Sequence, residues 1–336
     1  MGYIPLSSEQ IKVALNATQL FETLEGHRQQ ARSVAGSMHW KRINGRDYLY
    51  RAYSYGKNQS LGPRSHETEQ TKVQFEARQQ AYREQESQLR DQFTVHSAYI
   101  RANRLNRFPL AGARVIRALQ RQNVPFRVIG TNALYAYEAR AGIQFQAEHL
   151  ATDDMDVLMD ARQGVRIVTN LKRRSLLSLL QSSDKTFQRV SSSPYEFCAA
   201  NARGYRVDFI TQGGDPMHMN DFERLLDSDD LKPVTISSLK WQVSAPRFEA
   251  VVFDERGMPL RVHTTDPRAF VLHKWYVSQQ PDRQAMKRAR DEDQARLVAT
   301  LLRNELADLP TTRAVNRIFP HTVSQHAVDA LDDLDL

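Results

Sequence analysis

Residues 126–160 read FRVIGTNALYAYEARAGIQFQAEHLATDDMDVLMD, and this stretch decides the fold. Phe126-Arg127-Val128-Ile129 is a short apolar-rich run that stops at Gly130, the pattern of a strand entering a tight turn. The small residues Thr131, Asn132 and Ala133 then open a helical stretch from Leu134 to Ala139. A strand, a glycine turn and a helix N-terminus in that order make an anion seat, because backbone N–H groups point outward and nothing bulky obstructs them. Thr152 to Met159 reads as a second strand. Within it Asp154 and Asp156 are two residues apart and so share one face. Paired carboxylates repel each other unless a cation sits between them, and their hard oxygens suit Mg²⁺ or Mn²⁺. A phosphate seat beside a divalent-cation seat points to phosphoryl chemistry on a nucleotide.

Downstream, Tyr205-Arg206-Val207-Asp208-Phe209-Ile210 sets a third acid, Asp208, in an apolar strand. Gly130-Thr131-Asn132, then Asp154-Met155-Asp156-Val157, then Asp208 resembles the signature of the nucleotidyltransferase superfamily with the DNA polymerase β-like fold. Thr131-Asn132 stands where Gly-Ser or Gly-Gly is commoner, and the interval from Gly130 to Asp154 is longer than in minimal members. That longer interval resembles the abortive-infection and toxin-like branch of the superfamily. The resemblance spans roughly residues 96–305. It implies transfer of a nucleotidyl group from an NTP such as ATP to an acceptor hydroxyl, with release of pyrophosphate. Asp154, Asp156 and Asp208 would be the catalytic acids and would hold two Mg²⁺ (or Mn²⁺) ions, while Gly130, Thr131 and Asn132 would seat the β- and γ-phosphates. The branch also implies a toxin- or defence-like role and an antitoxin-like protein partner; its motifs do not name the acceptor, and it is the +7 charge, the Arg114, Arg117 and Arg121 stripe and the aromatic-basic hairpin at 39–55 that favour RNA or tRNA.

A second segment, Asp266-Pro267-Arg268-Ala269-Phe270 with Lys274, Arg283, Lys287, Arg290, Asp291 and Gln294, is similar to the helical region after the catalytic domain in the same branch. There a lysine and a basic helix approach the nucleotide, which makes Lys274, Arg283 and Lys287 nucleotide-binding candidates. Residues 283, 287, 290 and 294 follow one another at helical spacing and would share a face. Asp153 alternates away from Asp154, and Asp160 at the strand end reads as a cap or turn residue.

Two other readings compete. A two-metal nuclease would also use paired acids, though it has no need of a phosphate turn at Gly130. A non-catalytic nucleic-acid or partner-binding module would keep the fold and bind no metal.

Composition limits the choice further. The 336 residues are 41% hydrophobic and 25% charged, ordinary for a soluble chain with two or three structural units. No apolar run reaches the ~18 residues of a membrane helix, and MGYIPLSSEQ lacks the apolar core of a signal peptide. The single cysteine, Cys198, rules out an internal disulfide framework and fits a cytoplasmic location. Ten scattered histidines show no zinc-site spacing. A net charge of +7 suits a polyanionic partner.

Along the chain, residues 7–34 read as a helix, followed by an Asn44-Gly45 hairpin over 39–51. The hairpin region interleaves Trp40, Tyr48, Tyr50, Tyr53 and Tyr55 with Lys41, Arg42, Arg46 and Arg51, a mixture that could stack bases or pack on a neighbour. Residues 64–93 read as a polar helix, and 96–122 as a helix pair broken at Pro109. Arg114, Arg117 and Arg121 fall on one face of its second member, either an RNA-binding stripe or plain surface charge. Arg166–Val168 reads as a strand, Leu171–Gln181 as a helix, and Tyr195–Ala200 with Tyr205–Thr211 as a strand pair. Asp215-Pro216 begins a loop, and Phe248–Phe253 with Leu260–Thr264 forms a second hairpin. Asp266-Pro267 starts a helix, Pro281 interrupts it, a second helix runs from Asp282 to about Leu309, and the acidic tail after Pro320 frays.

The expected architecture is α/β: a polymerase β-like nucleotidyltransferase core with a small mixed sheet over residues 96–266, a mixed N-terminal unit over 1–95, and a helical C-terminal unit over 267–336.

Overall fold

The computed structural model describes residues 2–53, 58–171, 175–190, 198–212, 230–310 and 313–331. Contacts divide the chain into two compact units, Lys12–Leu105 and the combination of Met1–Ile11 with Asn106–Leu336. Residues 106–266 and 267–336 thus contribute together to the larger unit.

The first elements are β1 (Tyr3–Pro5) and α1 (Ser8–Ala31). In the smaller unit follow β2 (Ser37–Ile43), β3 (Arg46–Ala52), β4 (Asn58–Pro63) and α2 (His66–Ala102). The three strands form an antiparallel sheet. Its first turn holds Asn44 and Gly45 at φ 48 and 78, the left-handed pair that a tight hairpin requires. Ser65 and Thr68 close a capping box that starts α2. Leu20, Phe21 and Leu24 of α1 pack on Leu89 and Phe93 of α2. The helix expected to stop near residue 93 runs on to Ala102, because no glycine or proline stands between His66 and Ala102 to break it.

The larger unit continues with α3 (Leu110–Arg121), β5 (Arg127–Ile129), a 3₁₀ turn over Gly130–Ala133, α4 (Leu134–Ala141), β6 (Ile143–Phe145), α5 (Ala147–Leu150) and β7 (Asp154–Met159). Next come α6 (Gly164–Leu171), α7 (Leu176–Ser183), β8 (Gln188–Arg189), β9 (Cys198–Ala200), β10 (Arg206–Gln212) and β11 (Val234–Ile236). Then α8 (Leu239–Ser244), β12 (Arg247–Phe253), β13 (Pro259–Thr265), α9 (Pro267–Ser278), α10 (Ala285–Asn304), α11 (Arg313–Asn316) and α12 (His321–Ala330) complete it.

Among the described residues the main sheet has eight strands, in the order β12-β13-β5-β7-β10-β9-β8, with β11 also paired to β10. It is mixed: β7 and β10 are parallel, as are β13 and β5, while β5 and β7 are antiparallel. Met155, Val157, Val207 and Phe209 alternate into the main hydrophobic core and are fully buried. On the opposite face Ile129, Leu158 and Ile210 are covered by Leu239 and Val243 of α8. That cover reaches only part of the face.

Several expectations need correction. Arg166–Val168 lies inside α6 rather than a strand, since the spacing of Gly164-Val165-Arg166-Ile167 suits a helix as well as a short strand. Residues 96–102 belong to α2, and α3 starts afresh after Pro109. The chain after Pro320 forms α12 before any tail, and residues 332–336 lie outside the described residues, as do 195–197, Tyr55 and Asp215-Pro216. Arg117 is no free member of a phosphate stripe. Its guanidinium pairs with the buried Asp254 at 2.6 Å and donates to the carbonyls of Met258 and Pro259, tying α3 to the β12–β13 turn.

Candidate active site

The parallel pairing of β7 with β10 sets Asp156 directly beside Asp208, and Asp154 beside Arg206. On either side the same row continues to Ile129 of β5 and Cys198 of β9. All three acids therefore share the face that α8 only partly covers. They form part of the wall of a cleft of about 490 Å³, together with Gly130, Thr131, Lys274, Arg283, Lys287, Arg290 and Asp291.

Gly130 is pressed against this floor. Its φ is +67, and a Cβ built there would come within 2.5 Å of Asp156 Oδ2. Only glycine both adopts that backbone and leaves room for the carboxylate. Asn132 is buried and its side chain turns away from the cleft to donate to the Asp154 carbonyl at 2.7 Å, which fixes the start of β7. Thr131 Oγ1 accepts from Arg290 at 2.8 Å and from Gln294 at 3.1 Å. Arg290 also donates to the Ala151 carbonyl, so α10 is tied to both ends of the Gly130–Asp154 segment.

Lys274 of α9 donates to Asp291 of α10 at 2.6 Å, and Arg283 grips the other oxygen of Asp291 at 2.8 and 3.0 Å. Burial works against the Asp291 charge, yet Lys274 and Arg283 together hold its carboxyl below the usual range. Arg283 lies ahead of α10, which begins at Ala285, so the basic helical face starts at Lys287. Lys287 is exposed at the rim.

Burial first, then the charges of Asp154 and Asp208, push the Asp156 carboxyl up to about 7, against the pull of Lys274 and Arg283. Asp208 Oδ1 is buried and has no hydrogen-bond partner. Cys198 donates no nucleophile here, since burial and the neighbouring Asp208 raise its thiol to about 12. His273, behind Lys274, is held near 3 by burial and by that lysine's charge, and so stays neutral. Among the described residues no three His, Cys, Asp or Glu side chains stand ready-made as a metal-binding group.

Residues 111–320 match the family model described as nucleotidyltransferase. The chain belongs to that family. No curated protein and no solved structure matches it. Of the nine site candidates of this nucleotidyltransferase, eight line one cleft, and Asn132 stands behind it as a brace. Arg206, Arg290 and Asp291 are charged cleft residues that the sequence reading left out of its site. Arg206 was findable, because period two puts it on the face of Asp208. Arg290 already fell on the basic helical face. Asp291 carried no signal of its own, since its role depends on two cations brought in from separate elements.

Proposed function

We propose that this nucleotidyltransferase moves an NMP from an NTP to an acceptor hydroxyl by two-metal chemistry on a polymerase β-like core. The supporting observation is the row Asp154, Asp156 and Asp208 on one sheet face, at the floor of a cleft whose far wall carries Lys274, Arg283, Lys287 and Arg290. The donor set fits hard divalent cations: register sets the Asp156 and Asp208 carboxylates side by side with Asp154 on the same face, one oxygen of Asp208 lacks any partner, and burial, then the charges of Asp154 and Asp208, push the Asp156 carboxyl up. Asp154, Asp156 and Asp208 would hold Mg²⁺ or Mn²⁺, which when bound offsets the carboxylate repulsion and polarises the α-phosphate.

The chain's own groups do the rest. Gly130 lets a phosphate approach the backbone beside Asp156, and Thr131, held by Arg290 and Gln294, keeps the turn in place. Lys274 and Arg283 supply charge toward the triphosphate from a fixed position, because Asp291 orients both. Asp208 Oδ1, buried and without a hydrogen-bond partner, would take the proton of the attacking hydroxyl. Attack in line at the α-phosphorus then needs positioning more than further chemistry. RNA is the acceptor class that the +7 charge favours.

The test is incubation with each α-labelled NTP, Mg²⁺ or Mn²⁺ and total cell extract, followed by separation of RNA, protein and small molecules. Label in one of these fractions that is lost with Asp154→Asn supports the reading. Absence of transfer from all four NTPs, together with calorimetry showing no Mn²⁺ binding, returns the chain to a non-catalytic module.

A further inference from the structure

The three-stranded sheet of the smaller unit lies outside the residues of the family match, and its two faces differ. Register puts Trp40, Leu49 and Arg51 on one face. Leu49 is fully buried, the Arg51 guanidinium lies 4.8 and 5.1 Å from the rings of Tyr53 and Phe75, and Arg64 lies 5.1 Å from Trp40. This is the side that packs against α2. Trp40, a base-stacking candidate from the sequence, already has a cation over its ring.

The other face carries His39, Lys41, Arg46, Tyr48, Tyr50 and Ser60. None of the strand residues on this side is acidic. Among the described residues no hydrogen bond, ion pair or ring contact reaches the Tyr48 side chain, and those of the Tyr50 side chain come only from His39 and Lys41 on the neighbouring strand. The His39 and Tyr50 rings stand 6.3 Å apart, inclined by 25°, and Lys41 Nζ lies 5.6 Å from the Tyr50 centroid. Lys41 is itself exposed, so its contact with the Tyr50 ring is weak and gives way to a stacked base.

We propose that this face binds single-stranded nucleic acid, with bases stacked on Tyr48 and Tyr50 and phosphates paired with Lys41 and Arg46. Both tyrosines are half-buried, so each ring keeps part of its surface open, and stacking on an aromatic ring is available to any base. The tyrosines are two residues apart on one strand, about 7 Å, which separates their stacking sites. A duplex hides its base faces and cannot use them. The inference deepens the proposed function by giving the acceptor strand a holding surface, and rests on that reading only for calling the bound strand an acceptor.

The experiment is fluorescence anisotropy of the full chain with a labelled mixed-sequence RNA of about 12 nucleotides, its DNA counterpart and the RNA duplex, without NTP or divalent ion. A single strand should bind at least tenfold tighter than the duplex, and the RNA and DNA arms tell which sugar is preferred. The Tyr48→Leu, Tyr50→Leu double variant should bind tenfold or more weakly, while Tyr48→Phe, Tyr50→Phe stays within about twofold, since it keeps the rings. Lys41→Ala with Arg46→Ala should flatten the loss of affinity between about 50 and 200 mM salt. Unchanged affinity in the leucine variant, equal binding of duplex, or no binding of any oligonucleotide (as on a face made for a protein) overturns the proposal. Asp154→Asn should bind the strand like wild type. Strand binding without label transfer would remove the nucleotidyl-transfer reading alone, and transfer without strand binding would remove this face alone.

Discussion

The two faces of the β7–β10 pair obey one alternation and do opposite things. On one side Met155, Val157, Val207 and Phe209 are fully buried in apolar company. On the other, Leu158 and Ile210 are covered by α8, but two and four residues earlier on the same strands the acids stand in the cleft. The first face supplies stability through area removed from water. The second gives some of it up, since the half-buried Asp156 stands beside two like charges. A strand pair fixed by its apolar side can hold carboxylates together that would otherwise separate.

That contrast can be broken from the apolar side. Phe209→Ala should lose about 3–5 kcal/mol of unfolding free energy in urea and take all activity with it when the fold fails. A loss below about 1 kcal/mol would mean that the strand pair is not anchored there.

Next in size is the acid side. Asp154→Asn or Asp208→Asn should lower label transfer about a thousandfold or more, roughly 4 kcal/mol in the barrier, with circular dichroism unchanged. Retained activity in either variant would remove that residue from the site.

The comparison sharpens with pH. The Asp156 carboxyl is raised from 3.8 to about 7 in the folded chain, so the folded state binds more protons than the unfolded one across that window. Stability from this group is therefore fully present below its ordinary value and is lost as pH rises toward the folded one. Asp156→Asn should make the metal-free protein more stable by about 1–3 kcal/mol at neutral pH and above, with the gain fading in acid. A variant less stable than wild type at pH 8 would show that the acid is paired after all.

The smallest effect belongs to the opposite wall. Lys274→Ala should weaken NTP binding about tenfold while Mn²⁺ binding persists, because Arg283 still holds Asp291. Unchanged NTP affinity would make Lys274 a purely structural partner of Asp291.

Period-two spacing made the acid face legible: it set Asp154 and Asp156 on one side of their strand and turned Asp153 to the other, while Asp160, at the strand end, read as a cap or turn residue and does cap the next turn. Gly130, the Asn44-Gly45 turn and the Asp266-Pro267 helix start were legible because each depends on a few neighbouring residues. What escaped depends on distant partners. Short segments such as Gly164–Leu171 carry too few residues to separate a helix from a strand. The strands β1 and β6 meet across more than a hundred residues with three pairs between them. Whether an arginine is a brace or a ligand contact is likewise invisible in one dimension: Arg117 and Arg290 look alike in sequence, yet one ends on buried Asp254 and the other on Thr131 beside the cleft.

The close approach at Gly130 has a consequence for descent. A carboxylate can be restored by one base change, but the space beside Asp156 Oδ2 exists only while position 130 has no side chain. A descendant with alanine there would keep all three acids proposed for catalysis and look intact by that measure. Its backbone would nevertheless have to leave the +67 conformation or push the acid aside. Loss of activity in this lineage can therefore begin at a residue with no functional group, and an inactive copy is recognised sooner by its missing glycine than by its surviving aspartates.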